Sequence, residues 1–552
     1  IRATQGGTDY GLTIEGPIGD KTAVTLSGRN SFSQHYFRLF NIPVLPAYQD
    51  AQLRIHHRIS ENKDLTILGL GGWDQYRLNL EGKGSDALLY NVGYIPEGQQ
   101  QTNVVGARYR IFKKNGRWEY ILSRDQINNT AGKFIGNTGT EANRQLDYAS
   151  LENNIRGSIS HYVVSEDWQW KYGINLVNRT SNLDMWNVRV NNEQSIPRID
   201  TVDYQQVVTF QSLGAFTHLT RNYLENRLST SAGLRIDMHN LNLTTINPLA
   251  QASPRLSAQY HINSDWAIQG NLGRYSQLPP AITILANSAN NWSRNSYAGI
   301  VNQAATGIEF QNGETYRFSL EGYYKSYSNM PYLWDDNMSF SQAIGAYVAV
   351  GDQVSSSQAE GRSYGLELFL QQKLKGTYWW TMSYNYGHSE TRLNSSQEWT
   401  PTVWDIRHNV NLVLGKVWGK GWQIGAKYRW ATGTPYTPFD SEQSALVNNW
   451  DVLQRGIFDI NNVMSARLDS YSIIDVRLDK TYNKEKYSLT WFLDLQNFTS
   501  SSIPLMPYLT VERDELTRAP LVDPVNTDSY LVKTIGSDTG RLLPTIGLIL
   551  EI

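Results

Sequence analysis

The 552-residue sequence has no cysteine, which excludes disulfide frameworks, thiol nucleophiles and Cys-ligated zinc. No run of 18 apolar residues occurs and mean hydropathy is −0.45, so a helical membrane protein is excluded too. Neither sign of charge prevails. Lys and Arg number 49 against 51 Asp and Glu, for a net charge of −2 without a basic block. Nucleic acid therefore finds no electrostatic footprint. The nine His are scattered, and His56 and His57, adjacent on a strand, project to opposite faces and cannot share one ion. No nucleophile elbow, phosphate loop or zinc-binding helix is present, so nothing argues for an enzyme, a cofactor or a metal. The chain starts at Ile1 without Met or a signal-like apolar region, from which a removed signal peptide or a longer N-terminal part is expected.

Aromatic residues are what the chain has in plenty: 33 Tyr, 17 Trp and 15 Phe in a sequence that still scores as hydrophilic. Transmembrane β-barrels combine these properties, because lipid-facing and lumen-facing residues alternate and cancel in any hydropathy window. The period-2 test holds along the chain. Val24, Leu26 and Gly28 oppose Thr25, Ser27 and Arg29; Trp168, Trp170, Tyr172, Ile174 and Leu176 oppose Gln169, Lys171 and Asn175. Leu489, Trp491, Leu493 and Leu495 oppose Thr490, Asp494 and Gln496. Aromatics recur beside turns, at Trp118 and Tyr120, Trp168 and Trp170, Trp266, Tyr323 and Tyr324, Trp379 and Trp380, Trp422 and Trp430. That is the pattern of girdles at two membrane interfaces, whereas a soluble sandwich would show a mixed aliphatic core.

Connection lengths alternate. Short Gly/Asn/Asp-rich turns fall at 19–21, 61–64, 114–116, 165–167, 221–223, 263–265, 312–314, 374–376, 419–421 and 483–485. Longer excursions lie between them, at 30–47, 76–100, 125–145, 181–202, 276–303, 328–358 and 431–466. Short periplasmic turns and long extracellular loops are the asymmetry of outer-membrane barrels. The expected fold is all-β: one antiparallel transmembrane barrel of about 22 strands over 1–552, since an open edge cannot sit in hydrocarbon.

Several segments resemble the barrel of TonB-dependent outer-membrane receptors of the Bacteroidota type. They are the opening Gly11–Ile18 and Lys21–Arg29, then Ser253–Tyr260, Gly273–Pro279, Glu321–Lys325 and Gly361–Leu368. Trp404–Asn409, Ala431–Pro438 and the closing Leu543–Ile552 complete the set, although the last residue is Ile where the family often ends in Phe. The resemblance implies import of a bulky, scarce nutrient such as a siderophore, glycan or peptide, energised by a TonB–ExbB–ExbD complex. It also implies an N-terminal plug domain and a TonB box, which these 552 residues do not carry. The plug is expected either on residues before Ile1 or as a separate polypeptide. The alternative is a separately plugged or plug-free barrel, serving as a secretion or diffusion pore or as the scaffold of a surface complex. An outer-membrane enzyme is the third and weakest reading.

Candidate ligand contacts are the loop aromatics Trp292, Tyr332, Trp334, Trp399 and Trp450, which stack on flat or apolar ligand surfaces. Inward charges at Arg29, Arg108, Arg110, Lys171, Arg235, Lys427, Arg429, Asp475, Arg477 and Asp494 are expected to line the lumen. The resemblance gives them the role of holding a plug. Asp405, Arg407 and His408 read as a structural ion-pair or hydrogen-bond cluster, and Asp335-Asp336-Asn337 as an acidic loop with oxygen ligands of the kind calcium takes. Partners would be outer-membrane lipid and the TonB complex, with a separate plug chain or a surface lipoprotein as further candidates.

Overall fold

The computed structural model describes residues 1–552 except 82–85, 138, 192–197, 293–294 and 344–350. Alternation of apolar and polar residues commits each segment to an extended backbone with two chemically different faces. Twenty-two barrel strands result. The first eight are β1 (Arg2–Gln5), β2 (Asp9–Ile18), β3 (Thr22–Ser31), β4 (Val44–Ser60), β5 (Lys63–Leu78), β6 (Glu97–Lys113), β7 (Gly116–Phe134) and β8 (Arg144–Val164). Then come β9 (Trp168–Asn191), β10 (Arg198–Tyr223), β11 (Leu228–His239), β12 (Ser253–His261), β13 (Trp266–Gln277), β14 (Gly299–Asn312) and β15 (Tyr316–Leu333). The last are β16 (Ser355–Lys375), β17 (Tyr378–Arg392), β18 (His408–Trp418), β19 (Trp422–Ala431), β20 (Tyr471–Asn483), β21 (Ser488–Gln496) and β22 (Leu543–Glu551). Each pairs antiparallel with its neighbours in sequence, and β1 closes the circle by pairing with β22, Arg2 opposite Glu551 and Gln5 opposite Leu548. Two-residue strands at Met338–Ser339 and Thr400–Pro401 bring the sheet to 24 members.

The short turns sit where glycine relieves the backbone. At Gly421, φ is +85° and a Cβ would overlap the carbonyl of Thr481, so only glycine fits between β18 and β19. One turn departs from the sequence reading. Arg221–Tyr223 stays in β10, paired to the end with Tyr223 opposite Leu228. The chain reverses over Leu224, Glu225 and Asn226, with φ of 53°, 54° and 68°.

Two of the expected long connections are also mostly strand. Residues 125–134 continue β7, while 181–191 and 198–202 belong to β9 and β10. The outward residues there are polar, Gln126 and Asn128 on β7 and Gln205 on β10. Polarity marks where the wall leaves lipid, and the hydrogen-bonded ladder continues into water. Conversely, 497–542 folds into a hairpin of Ile503–Val511 against Val532–Thr539.

Registers carried around the sheet assign every strand one inner and one outer face. The outer face bears an apolar band, including exposed Leu26, Leu122, Ile174, Leu219, Ile268, Leu414 and Leu548. Two aromatic belts flank it. On the short-turn side Trp118 stacks on His161 at 4.2 Å, Trp266 lies 4.8 Å from Phe310, and Trp422 meets Trp491 edge-on at 5.5 Å. On the long-loop side Tyr364 stacks on His388 at 4.9 Å, and His408 bridges Tyr386 and Trp430. Of the girdle residues read from sequence, Tyr323 and Trp379 belong to the inner face instead. Trp379 pairs with Gly415, and a Cβ there would overlap its indole ring.

Ile268 lies in the apolar band and Gln269 beside it faces inward. Ile268→Arg is expected to cost about 2–4 kcal/mol in urea unfolding from lipid vesicles, as an outward cation near the midplane does. Gln269→Arg should change stability by less than about 1 kcal/mol, because its side chain stays in a polar lumen.

Candidate functional site

All ten charged residues read as inward from sequence do lie on the inner face. Four of them are already committed to the wall. Arg29 pairs with Asp50 at 2.8 Å, Arg110 with Asp64 at 2.6 Å, Arg235 with Asp237 at 2.6 Å and Arg477 with Asp479 at 2.9 Å. Asp475 accepts the backbone N–H of Asn497 at 2.8 Å. Lys171 lies over Phe216 and Arg429 over Tyr471. Among the described residues Arg108, Lys171, Lys427, Arg429 and Asp494 form no ion pair with the wall, and Arg108 Nε is buried without an acceptor. The lumen therefore presents unpaired charge of both signs.

Loops on the long-loop side fold inward over the mouth. A helix, α1 (Ala281–Ala289), sets Leu285 against the buried Leu183 and Met185 on β9, with Val208 of β10 alongside. Residues 351–353 are tied to the same wall: Tyr204 donates to the Gly351 carbonyl at 2.5 Å and Asn187 to Asp352 at 2.8 Å. Arg189 pairs with Asp335, and Gln353 donates to Asp336 at 2.5 Å. Asn337 accepts from Tyr332 at 2.6 Å, so the acidic triplet is spent on internal contacts. Further round the rim, fully buried Asp405 takes the Ser389 N–H at 2.9 Å and the guanidinium groups of Arg407 and Arg467. Burial would raise its pKa, but these donors hold it below the usual carboxylate range. His56 and His57 bond to Thr66 and Thr22 on opposite faces of the sheet.

Beside these loops a cavity of about 520 Å³ opens at the mouth. Its floor is the top of β7, β8 and β9 with Lys133, Leu146 and Asn187; its sides are 90–96, 450–455 and the 503–539 hairpin. Tyr90 stacks on Tyr508 at 4.4 Å, and Arg455 donates to the Tyr94 hydroxyl at 3.1 Å.

The family model for the TonB-dependent receptor-like β-barrel matches residues 24–498. The chain belongs to that family. Its members are outer-membrane proteins of Gram-negative bacteria, which fits the two belts and the apolar band. Solved structures share the fold at low identity. The copper transporter OprC matches with a TM-score of 0.65 at 11% identity, over all of this chain and 79% of its own. The ferric yersiniabactin uptake receptor FyuA from Yersinia pestis gives 0.63 at 12%, over 100% and 79%. The ferripyoverdine receptor of Pseudomonas aeruginosa gives 0.67 at 12%, over 100% and 70%. No curated protein matches the chain in sequence.

In this receptor barrel the five loop aromatics do not come together. Trp450 is 1% exposed and lines the mouth cavity. Trp399 is held between Arg362 and Arg392, each guanidinium 4.3–4.4 Å from its ring centre, so cations already cover it. Tyr332 is buried with Trp334 edge-on against it, while Trp292 stands exposed in its own loop. Many of the cavity's other residues lie in the long excursions read from sequence, 76–100, 125–145 and 431–466, but none of them was singled out. Tyr90, Tyr94, Lys133 and Arg455 carry no periodic or motif signal, and the hairpin of 503–539 had none of the length cues used for the other loops.

The buried Asp352 is pushed up to about 6, chiefly by desolvation, with Asp336 adding to the shift and Arg189 and Asn187 opposing it. A raised carboxyl favours the folded loop in its protonated form, so docking is strongest below about pH 4 and weakens as pH rises through 6. Hydrogen exchange of 351–355, corrected for intrinsic rate, is expected to be faster at pH 7.5 than at pH 4.5. Asp352→Asn should reduce that difference, leaving the share of Asp336, whose pKa burial also raises and which accepts from Gln353.

Proposed function

We propose that this receptor barrel imports a bulky, scarce nutrient across the outer membrane, driven through TonB–ExbB–ExbD. The observation that carries the reading is the mouth cavity standing over a lumen lined with unpaired charge. A ligand held there is on the outer side of a polar passage, and barrels of 22 strands have a lumen that can hold a plug. The order of the motifs from Gly11–Ile18 to the closing strand supports a receptor of the Bacteroidota type. The neighbours named for ferric chelates and copper support a metal complex as cargo, with glycans and peptides as the other classes such a cavity would admit.

In this reading a plug, carried on preceding residues or as a separate polypeptide, seats on Arg108, Lys171, Lys427, Arg429 and Asp494. Their mixed signs suit a polar domain better than a single ion type. A surface lipoprotein over the loops would be a further partner for a glycan or peptide cargo.

Deleting the gene in its host should abolish growth on one class among ferric chelates, glycans and peptides, and the lost uptake should be sensitive to a proton uncoupler. Uptake that persists in uncoupled cells would sink the active-transport reading. The joint reversal of Arg108→Glu and Arg429→Glu is expected to raise outer-membrane permeability to a large hydrophilic antibiotic. Unchanged permeability would mean that these charges do not seat a plug.

A further inference from the structure

The lipid-facing wall is not evenly covered. Register places Thr230, Ala258, Gly270, Thr306 and Gly322 on one outward row that crosses β11 to β15. Arg221 continues the row on β10, and Leu366 and Tyr386 continue it on β16 and β17. The rows on either side carry exposed large side chains, Leu256, Leu272 and Tyr324 on one and Ile268 and Leu320 on the other. Small residues between bulky ones sink a predominantly apolar groove of about 1290 Å³ into the outer face. Left empty against hydrocarbon, its lining would forfeit dispersion contacts, so the groove is filled. Strands lie about 4.8 Å apart and tilt by about 35–45°, so the row climbs roughly 20–25 Å from β10 to β17, close to the height of the apolar band.

The two ends of the groove differ in charge. On the short-turn side three outward cations lie over tyrosines, Arg221 over Tyr223 at 5.0 Å, Arg227 over Tyr260 at 5.6 Å and Lys375 over Tyr316 at 5.0 Å. Among the described residues none of the three forms an ion pair. On the long-loop side the cations are cancelled, Arg362 by Glu390 at 2.6 Å and Arg392 by Glu360 at 2.7 Å. We propose that the groove holds one phospholipid of the periplasmic leaflet. Its phosphate meets Arg221 and Arg227 of the β10–β11 hairpin, and an acyl chain lies up the groove over Gly270 and Gly322. Phosphate takes charge-assisted bonds from guanidinium, and tyrosine hydroxyls at the interface add donors. A chain of boundary lipid stands near the membrane normal, whereas this groove runs about 45–55° away from it. A chain lying there has left the bulk packing, and the held headgroup keeps it in place. Lipopolysaccharide would bring its phosphates to the other end, where glutamates already occupy the arginines. The assignment does not rest on the import reading.

Native mass spectrometry of the full chain tests this, after reconstitution into vesicles of equal parts phosphatidylethanolamine and phosphatidylglycerol and release into mild detergent. The chain is expected to keep one phospholipid. Gly270→Leu with Gly322→Leu fills the groove. The nearest atoms to a Cβ at these two positions lie at 3.6 and 3.4 Å, so leucine fits without displacing backbone and is at home facing lipid. Retained phospholipid should fall about tenfold in that variant. Arg221→Gln should lower it about fivefold, the loss of one cation at a phosphate. Gly157→Leu, outward on β8 with open space around its Cβ, lies outside the groove and should leave retention unchanged. A heat-modifiable gel shift checks that each variant is folded. No lipid on the wild-type chain, equal retention in the filled variant, or equal loss in Gly157→Leu overturns the assignment. So does preferential retention of added lipopolysaccharide, or a dimer of this chain that carries no lipid.

Discussion

Every feature of this molecule depends on one constraint, that a backbone in hydrocarbon must satisfy its own hydrogen bonds. Helices long and apolar enough to do so do not occur among the described residues, so the sheet must close. Closure is achieved by four residues, Arg2–Gln5, which bridge β2 and β22. Ile1 and Ile552 exchange terminal hydrogen bonds beside that seam. Once the ladder is continuous, side chains are free to differ on the two faces, and the division between lipid-facing leucine and lumen-facing charge follows from geometry.

The same closure explains how the inner wall can hold charge. Pairs such as Arg110–Asp64 and Arg477–Asp479 neutralise themselves within a strand or across one ladder step. Those that form no ion pair, Lys427 and Arg429 among them, face the polar inner side of the wall rather than lipid. On the outer face no such tolerance exists, and the alternation there is accordingly strict between the belts. Beyond the belts it relaxes, and the strands run on with polar outer residues into loops whose own contacts close the mouth.

The loops follow a different logic from the wall. Asp405 with Arg407 and Arg467, Asp335 with Arg189, and Trp399 between two arginines are cross-links between segments far apart in sequence. Each fixes a loop against the rim, and beside them a recess faced by cations stays open. The Asp405–Arg407 pair was legible because its members are two residues apart near a strand start, whereas Arg467, 62 positions on, was not, and His408, read into the same cluster, faces the aromatic belt instead. Trp450 was legible as a loop aromatic, yet its burial and its open N–H were not. The Arg189–Asp335 pair was invisible, since no local pattern connects residues 146 positions apart.

By itself the sequence determined the fold class, the antiparallel order, the lipid-facing side of the strands with clear alternation, and most of the short turns. These depend on period 2 and on turn chemistry, both of which act over a few residues. The strand ends above the membrane, the reversal at Leu224–Asn226 and the inward placement of Trp379 were decided by pairing across the sheet. The cavity at the mouth was decided only by the tertiary structure. It is assembled from residues between 90 and 535 that are brought together by closure of the barrel, and charge accumulates there through position in space alone.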